Sequence, residues 1–139
     1  MQVFISYAKS DRDWALKLSN YLKESGLEVW IDAANLFPGD NWALETGRAL
    51  EICDAMVVLV SPEALQSERV RSEWQYALGN ERFQGRLIPV LVRPAVEIPW
   101  ILKTLQWIEG EPRAVSDRIA QVLSQTSSSQ DFEARAGSH

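Results

Sequence analysis

Residues 55–60, AMVVLV, form an unbroken apolar run without a polar residue to face solvent. A strand exposed on one face alternates apolar with polar residues, whereas a continuous apolar run is typical of a strand covered on both faces. Ser61 and Pro62 follow directly, and this pair fits the N-cap and the first position of a helix. The run therefore predicts the central strand of a parallel sheet.

Other strand-like and helix-like segments alternate on either side of this run. Apolar runs predict strands at 3–7, 27–31, 87–92 and 105–108, and helical spacing predicts helices at 11–25, 42–53, 61–80 (with a break near Ser67) and 113–124. Pro89 conflicts with its strand because proline donates no hydrogen bond to a ladder. The alternation nevertheless predicts right-handed crossovers and an α/β fold with a parallel sheet flanked by helices on both faces.

Composition limits the functions that this chain can have. Its 139 residues are 46% hydrophobic and 24% charged, which is typical of one soluble domain, and no apolar run approaches the roughly 18 residues of a membrane span. A net charge of −5 without a basic run disfavours nucleic acid as a partner. The start, MQVFISY, has no signal-peptide pattern and predicts a cytoplasmic location. Residues 125–139 have little apolar content, so we expect a disordered tail, a linker or an expression remnant after a domain that ends at 124.

Several kinds of site are disfavoured by the residues available. Cys53 is the one cysteine and His139 the one histidine, which excludes an internal disulfide and leaves no Cys/His cluster for zinc. The chain has neither GxGxxG nor GxxxxGK[ST], the glycine-rich patterns that bind dinucleotide or triphosphate groups. A catalytic Ser, His and Asp set is absent as well. The sequence therefore predicts no metal and no bound cofactor.

The predicted strand ends bring together the polar residues of interest. Ligands of open α/β sheets bind beyond the carboxyl ends of the strands. The first strand is followed by Tyr7, Ala8 and Lys9, the second by a loop that starts at Asp32, and the third by Ser61. We therefore expect a ligand site among these residues.

Four segments together resemble the TIR domain, most closely the bacterial type. They are FISYAKSD (4–11), VWIDAANLFPGDNW (29–42), VVLVSP (57–62) and SERVRSEWQYAL (67–78), and the resemblance extends over residues 1–124. It implies a flavodoxin-like sheet of five parallel strands in the order 2-1-3-4-5. It also implies a mobile loop after the second strand, called the BB loop, with Leu36, Phe37, Pro38 and Gly39 in an interface between domains.

The resemblance implies two functions. Members either cleave the nicotinamide–ribose bond of NAD⁺ or act as non-catalytic modules that associate with other TIR domains. The glutamate of the NAD⁺-cleaving members falls on Glu73, which favours an enzyme that releases nicotinamide and linear or cyclic ADP-ribose. Arg69 stands where these members carry an aromatic residue, which favours the interaction module. A third class, N-glycosidic enzymes such as nucleoside deoxyribosyltransferases, stays open.

In the enzyme, NAD⁺ is the substrate rather than a cofactor, and Glu73 is the expected catalytic residue. Trp42 and Tyr7 would offer flat surfaces to the rings, and Lys9 would attract phosphate. The predicted substrate-binding set is Tyr7, Ala8, Lys9, Asp32, Trp42 and Arg69. The resemblance further implies head-to-tail self-association through the BB loop, which would activate the enzyme.

Periodicity alone makes three further predictions about side chains. Glu73 is expected on the solvated face of its helix, since glutamate is seldom buried. Trp74 is expected in the core. Trp100 and Trp107 are expected to pack in the core or at its edge.

Overall fold

The chain folds as strands that alternate with helices along its length. The computed structural model describes the backbone of residues 1–31, 42–94 and 97–137, and the side chains of 1–31, 44–94 and 97–126. The elements are β1 Gln2–Ser6, α1 Arg12–Glu24, β2 Glu28–Ile31, α2 Trp42–Ile52, β3 Ala55–Val60, α3 Pro62–Gln66, α4 Glu68–Leu78, β4 Leu87–Leu91, α5 Trp100–Lys103, β5 Ile108–Glu109 and α6 Pro112–Gly137. Short 3-10 turns occupy Lys9–Asp11 and Glu81–Phe83.

The five strands form one parallel sheet in the order β2-β1-β3-β4-β5. This confirms the predicted fold class and strand order. β3 lies in the centre between β1 and β4, and all six of its residues are buried. The apolar run that predicted a strand covered on both faces is that strand.

Alternate residues of the strands point into two apolar layers. Odd-numbered residues of β1 and β3, such as Ile5 and Val57, pack against α1 and α6. Even-numbered residues, such as Phe4 and Val58, pack on the opposite face with α2 and α4. The two-residue side-chain period of a strand produces this division. Ser6 follows the even-numbered set and therefore faces the layer that contains α4.

Pro89 lies within β4 without breaking the sheet, which confirms the strand. The Arg86 carbonyl accepts a hydrogen bond from the Met56 amide, and the Val92 amide donates one to the Val60 carbonyl. The backbone groups of even-numbered residues here therefore point towards β3, and those of Pro89 point away from it. On that other side β5 pairs only from Val90 onward. Pro89 therefore occupies an edge-like position where no ladder donor is needed.

Serine caps explain the helices that follow β3. Ser61 accepts a hydrogen bond from the Ala64 amide at 3.2 Å and caps α3. Ser67 does the same for the Val70 amide at 3.3 Å and caps α4. The predicted break near Ser67 is confirmed, because Ser67 ends one helix with an extended backbone and begins the next.

The structure departs from the sequence predictions near the C-terminus. The fifth strand is 108–109 rather than 105–108, because Leu105 packs against the apolar layer without joining the ladder. Trp100 was expected to pack but is 73% exposed, since the short α5 buries Leu102 instead. Trp107 packs at the edge as expected.

The last helix also continues past its predicted end at 124 and reaches Gly137. A helix that is already formed over a buried segment adds further residues without needing apolar contacts. The domain boundary at 124 stays a prediction.

Candidate functional site

The last residue of β1 and the middle of α4 meet in a buried polar contact. The Ser6 hydroxyl donates a hydrogen bond to Glu73 Oε1 at 2.7 Å, although the two residues are 67 positions apart in sequence. Ser6 is fully buried and Glu73 is 3% exposed. The prediction that Glu73 lies on the solvated face of its helix is therefore wrong.

Helical geometry places Glu73 against the sheet. Val70, Trp74 and Ala77 are the other buried residues of α4. Val70 precedes Glu73 by three positions and Ala77 follows it by four, so these side chains share one face of the helix, and Trp74 borders that face as the next residue. Trp74 in the core confirms its prediction. The apolar residues at 70, 74 and 77 mark the buried face, and this spacing is the sequence signal that could have placed Glu73 at the same face.

Burial changes the acidity of Glu73. The apolar surroundings disfavour the charged carboxylate and raise the pKa of Glu73 from 4.5 to about 7. The hydrogen bond from Ser6 and the positive charge of Arg69 act in the opposite direction and lower this pKa. Glu73 Oε2 is buried and has no hydrogen-bond partner among the described residues. Buried polar atoms normally have a hydrogen-bond partner. A ligand hydroxyl next to Oε2 would provide one.

Arg69 connects α4 to the turn that follows β1. Its Nη2 donates a hydrogen bond to the Tyr7 carbonyl at 2.8 Å, and its guanidinium carbon lies 5.8 Å from the centre of the Tyr7 ring. Arg69 precedes Glu73 by one helical turn. Tyr7 and Ala8 are buried and Lys9 is exposed. The structure thus brings Tyr7 and Arg69 together beside Glu73.

The other predicted site residues lie wholly or partly outside the described residues. Trp42 begins α2, and its side chain lies outside the described part of the chain. Asp32 and the BB-loop residues Leu36, Phe37, Pro38 and Gly39 lie outside the described residues as well. Their proposed roles stay predictions.

A second polar cluster at the same edge of the sheet was missed by the sequence reasoning. Ser61 donates to Asp11 Oδ2 at 2.5 Å, and Arg93 donates to Asp11 Oδ1 from Nη2 at 2.9 Å and from Nε at 3.1 Å. Arg93 also pairs with the exposed Glu63. These residues follow β1, β3 and β4, so the cluster ties three strand ends together. The signal available was a polar residue shortly after each of these strands, directly after β3 and within five positions of β1 and β4.

Comparison with known proteins places the chain in a family. A family model described as the TIR domain matches residues 3–126. The chain belongs to the TIR domain family. The TIR domain of the Toll-related receptor TRR-2 from Hydra magnipapillata is similar to it, with 26% sequence identity over 77% of this chain and 82% of that one and a TM-score of 0.67.

Two more distant structures share the fold of this TIR domain. A prokaryotic SEFIR domain is 20% identical over 87% of this chain and 90% of its own, with a TM-score of 0.63. The CMP N-glycosidase BcmB of Clostridium botulinum is 20% identical over 86% of this chain and 98% of its own, with a TM-score of 0.56. In the ranges that the structure describes, no helix is long and apolar enough to cross a membrane.

Proposed function

We propose that this TIR domain is an NAD⁺ glycohydrolase with Glu73 as its catalytic residue. If an adenine nitrogen of the substrate replaces water as the nucleophile at the ribose C1′, the same site acts as a cyclase. The observation that supports the proposal is the buried Glu73 carboxylate, which has one oxygen hydrogen-bonded to Ser6 and the other without a partner among the described residues. NAD⁺ is proposed as the substrate because some TIR domains are NAD⁺-cleaving enzymes.

The chemistry needs few groups. Nicotinamide in NAD⁺ is a cationic leaving group, so the bond between its nitrogen and the ribose C1′ breaks without a general acid, and the electron pair leaves on neutral nicotinamide. Positive charge develops on the ribose, and an ionised carboxylate beside it stabilises the transition state. Water then adds to C1′ and releases a proton, which gives ADP-ribose. Glu73 Oε2 would accept a hydrogen bond from a ribose hydroxyl.

The remaining predicted residues would bind the substrate. Tyr7 and Trp42 would pack against the rings, and Lys9 would attract the pyrophosphate. Ala8, Asp32 and Arg69 complete the proposed set. Arg69 also helps to keep Glu73 ionised, since its charge lowers the pKa of that carboxyl.

A non-catalytic module is the second candidate, and Arg69 in place of an aromatic residue is the observation that favours it. TIR domains typically interact with other TIR domains. The two candidates differ in whether the purified domain consumes NAD⁺.

The direct test measures free nicotinamide by chromatography after the concentrated domain is incubated with NAD⁺. We expect release by the wild type and a loss of about a hundredfold or more in Glu73→Gln. Glu68→Gln is the matched control, because Glu68 lies exposed on the same helix, and it should keep the wild-type rate. Absence of nicotinamide from concentrated, self-associated wild type would favour the interaction module. CMP should be tested as a second candidate substrate in the same assay, because one protein of similar fold is named a CMP N-glycosidase.

A further inference from the structure

The hydroxyl of Ser6, the last residue of β1, forms a hydrogen bond with the proposed catalytic residue. A serine hydroxyl has one proton to donate, and here the acceptor is Glu73 Oε1. Both groups are buried, so solvent does not compete for this bond. A hydrogen bond to a carboxylate in such surroundings is stronger than one between neutral groups.

This bond differentiates the two oxygens of Glu73. Oε1 accepts the hydrogen bond from Ser6 on the sheet, and Oε2 has no partner in the part of the chain that the structure describes. Rotation of the carboxyl group out of this plane would weaken the bond to Ser6. The bond therefore favours one plane of the carboxyl group, in which Oε2 is the acceptor left for a ligand hydroxyl.

Arg69 supports the same arrangement from the helix. It donates to the carbonyl of Tyr7, the residue next to Ser6, and so fixes the turn after β1 against α4. The positive charge of Arg69 also lowers the pKa of Glu73 from the side of the helix. The Ser6 hydroxyl lowers the same pKa from the side of the sheet.

We propose that Ser6 is a positioning residue for the reaction, which holds Glu73 Oε1 so that Oε2 faces the ribose of the substrate. The inference rests on the proposed function, because it assigns Ser6 a part in how Glu73 acts. A purely structural Ser6 would contribute to packing between β1 and α4 and would leave the ionisation and reactivity of Glu73 unchanged.

The first measurement compares Ser6→Ala with wild type in nicotinamide release. We expect kcat to fall on the order of tenfold with a smaller change in KM, because the hydroxyl orients the carboxylate rather than binding substrate. Removing a bond that lowers the pKa of Glu73 should also move the acidic limb of the pH–rate profile to higher pH. Ser116→Ala is the control, since Ser116 is buried on α6 and its hydroxyl has no hydrogen-bond partner within the described ranges.

The second measurement does not depend on activity. Thermal unfolding is compared for wild type, Ser6→Ala, Glu73→Gln and the double variant, at about pH 5.5 and about pH 8.5. Ser6→Ala should lower Tm more at the higher pH, where Glu73 is ionised and the lost bond is charge-assisted. In the Glu73→Gln background, the effect of Ser6→Ala should be the same at both pH values.

The outcomes separate this inference from the proposed function. A pH-dependent coupling between Ser6 and Glu73 together with the kcat effect supports it. Additive effects that are independent of pH, or an unchanged kcat in Ser6→Ala, overturn it. If wild type releases no nicotinamide, the proposed function fails, and with it the role of Ser6 in the reaction, while the unfolding data still decide whether Ser6 holds the ionised Glu73.

Discussion

At the scale of single residues, the ionisation of Glu73 links the stability of the domain to pH. Its pKa is about 7 in the folded chain and 4.5 when unperturbed, so the folded state holds the proton more tightly. The stabilising contribution of the protonated carboxyl is complete below about pH 4.5 and is lost as the pH rises through about 7. The difference between the two pKa values corresponds to roughly 3 kcal/mol.

Glu73→Gln should therefore stabilise the fold at about pH 8 and have much less effect at about pH 4.5. The amide keeps the shape of the carboxyl but never carries its charge. Chemical denaturation of both proteins at the two pH values measures the difference. If Glu73→Gln changes the unfolding free energy equally at both pH values, the pKa of Glu73 is not raised in the folded state.

Trp42 gives a second prediction at this scale, based on sequence. If Trp42 packs against a substrate ring, Trp42→Ala should raise KM for NAD⁺ more than it lowers kcat, because a flat surface serves the ground and transition states alike. Steady-state nicotinamide release checks this. Kinetics equal to those of wild type would assign Trp42 to packing.

At the scale of elements, the cluster around Asp11 connects the ends of three strands. Asp11 is buried and accepts hydrogen bonds from Ser61 and from Arg93. Asp11→Ala leaves the Ser61 hydroxyl without its acceptor and the Arg93 charge without its buried partner. We expect a loss of about 2 kcal/mol in unfolding free energy, the usual size for hydrogen bonds to a charged group.

Urea denaturation measures this loss. Asp117→Ala serves as the control, since Asp117 is exposed on α6 and should change stability by less than about 0.5 kcal/mol. Equal stabilities for the two variants would mean that the cluster adds nothing to the fold.

Elements were predicted well wherever burial leaves a periodic pattern. β3 has the predicted bounds, and the ends of α1 and α2 differ from the predicted ones by a residue or two. The agreement is close because a long apolar pattern identifies each of these elements. β5 has two residues, which is too short for a pattern. The sequence after 124 has little apolar content and no helical period, so no sequence pattern marks the extension of α6. The site is less predictable from sequence than the elements are. Family resemblance identifies Glu73, whereas its contact with Ser6 depends on a sheet and a helix that meet only after folding.

At the scale of the whole molecule, self-association is the expected regulator. TIR domains typically interact with one another. The sequence places Leu36 and Phe37 in a long loop, and we expect a second copy to cover them head to tail and to hold the site open. Specific activity should then rise more than linearly with protein concentration. Phe37→Asp should abolish that rise while the monomer stays folded, and activity per molecule that is constant over about a hundredfold concentration range would exclude this regulation.

The pH dependence of nicotinamide release from NAD⁺ tests the central claim most directly, with wild type and Glu73→Gln assayed side by side between about pH 5 and pH 9. If the ionised Glu73 carboxylate stabilises the charged ribose, the wild-type rate rises through about pH 7 and then levels, since the pKa of Glu73 is about 7. Glu73→Gln releases no nicotinamide above background at any pH. Release by Glu73→Gln at the wild-type rate, or a wild-type rate that does not change between pH 5 and pH 9, would contradict the account.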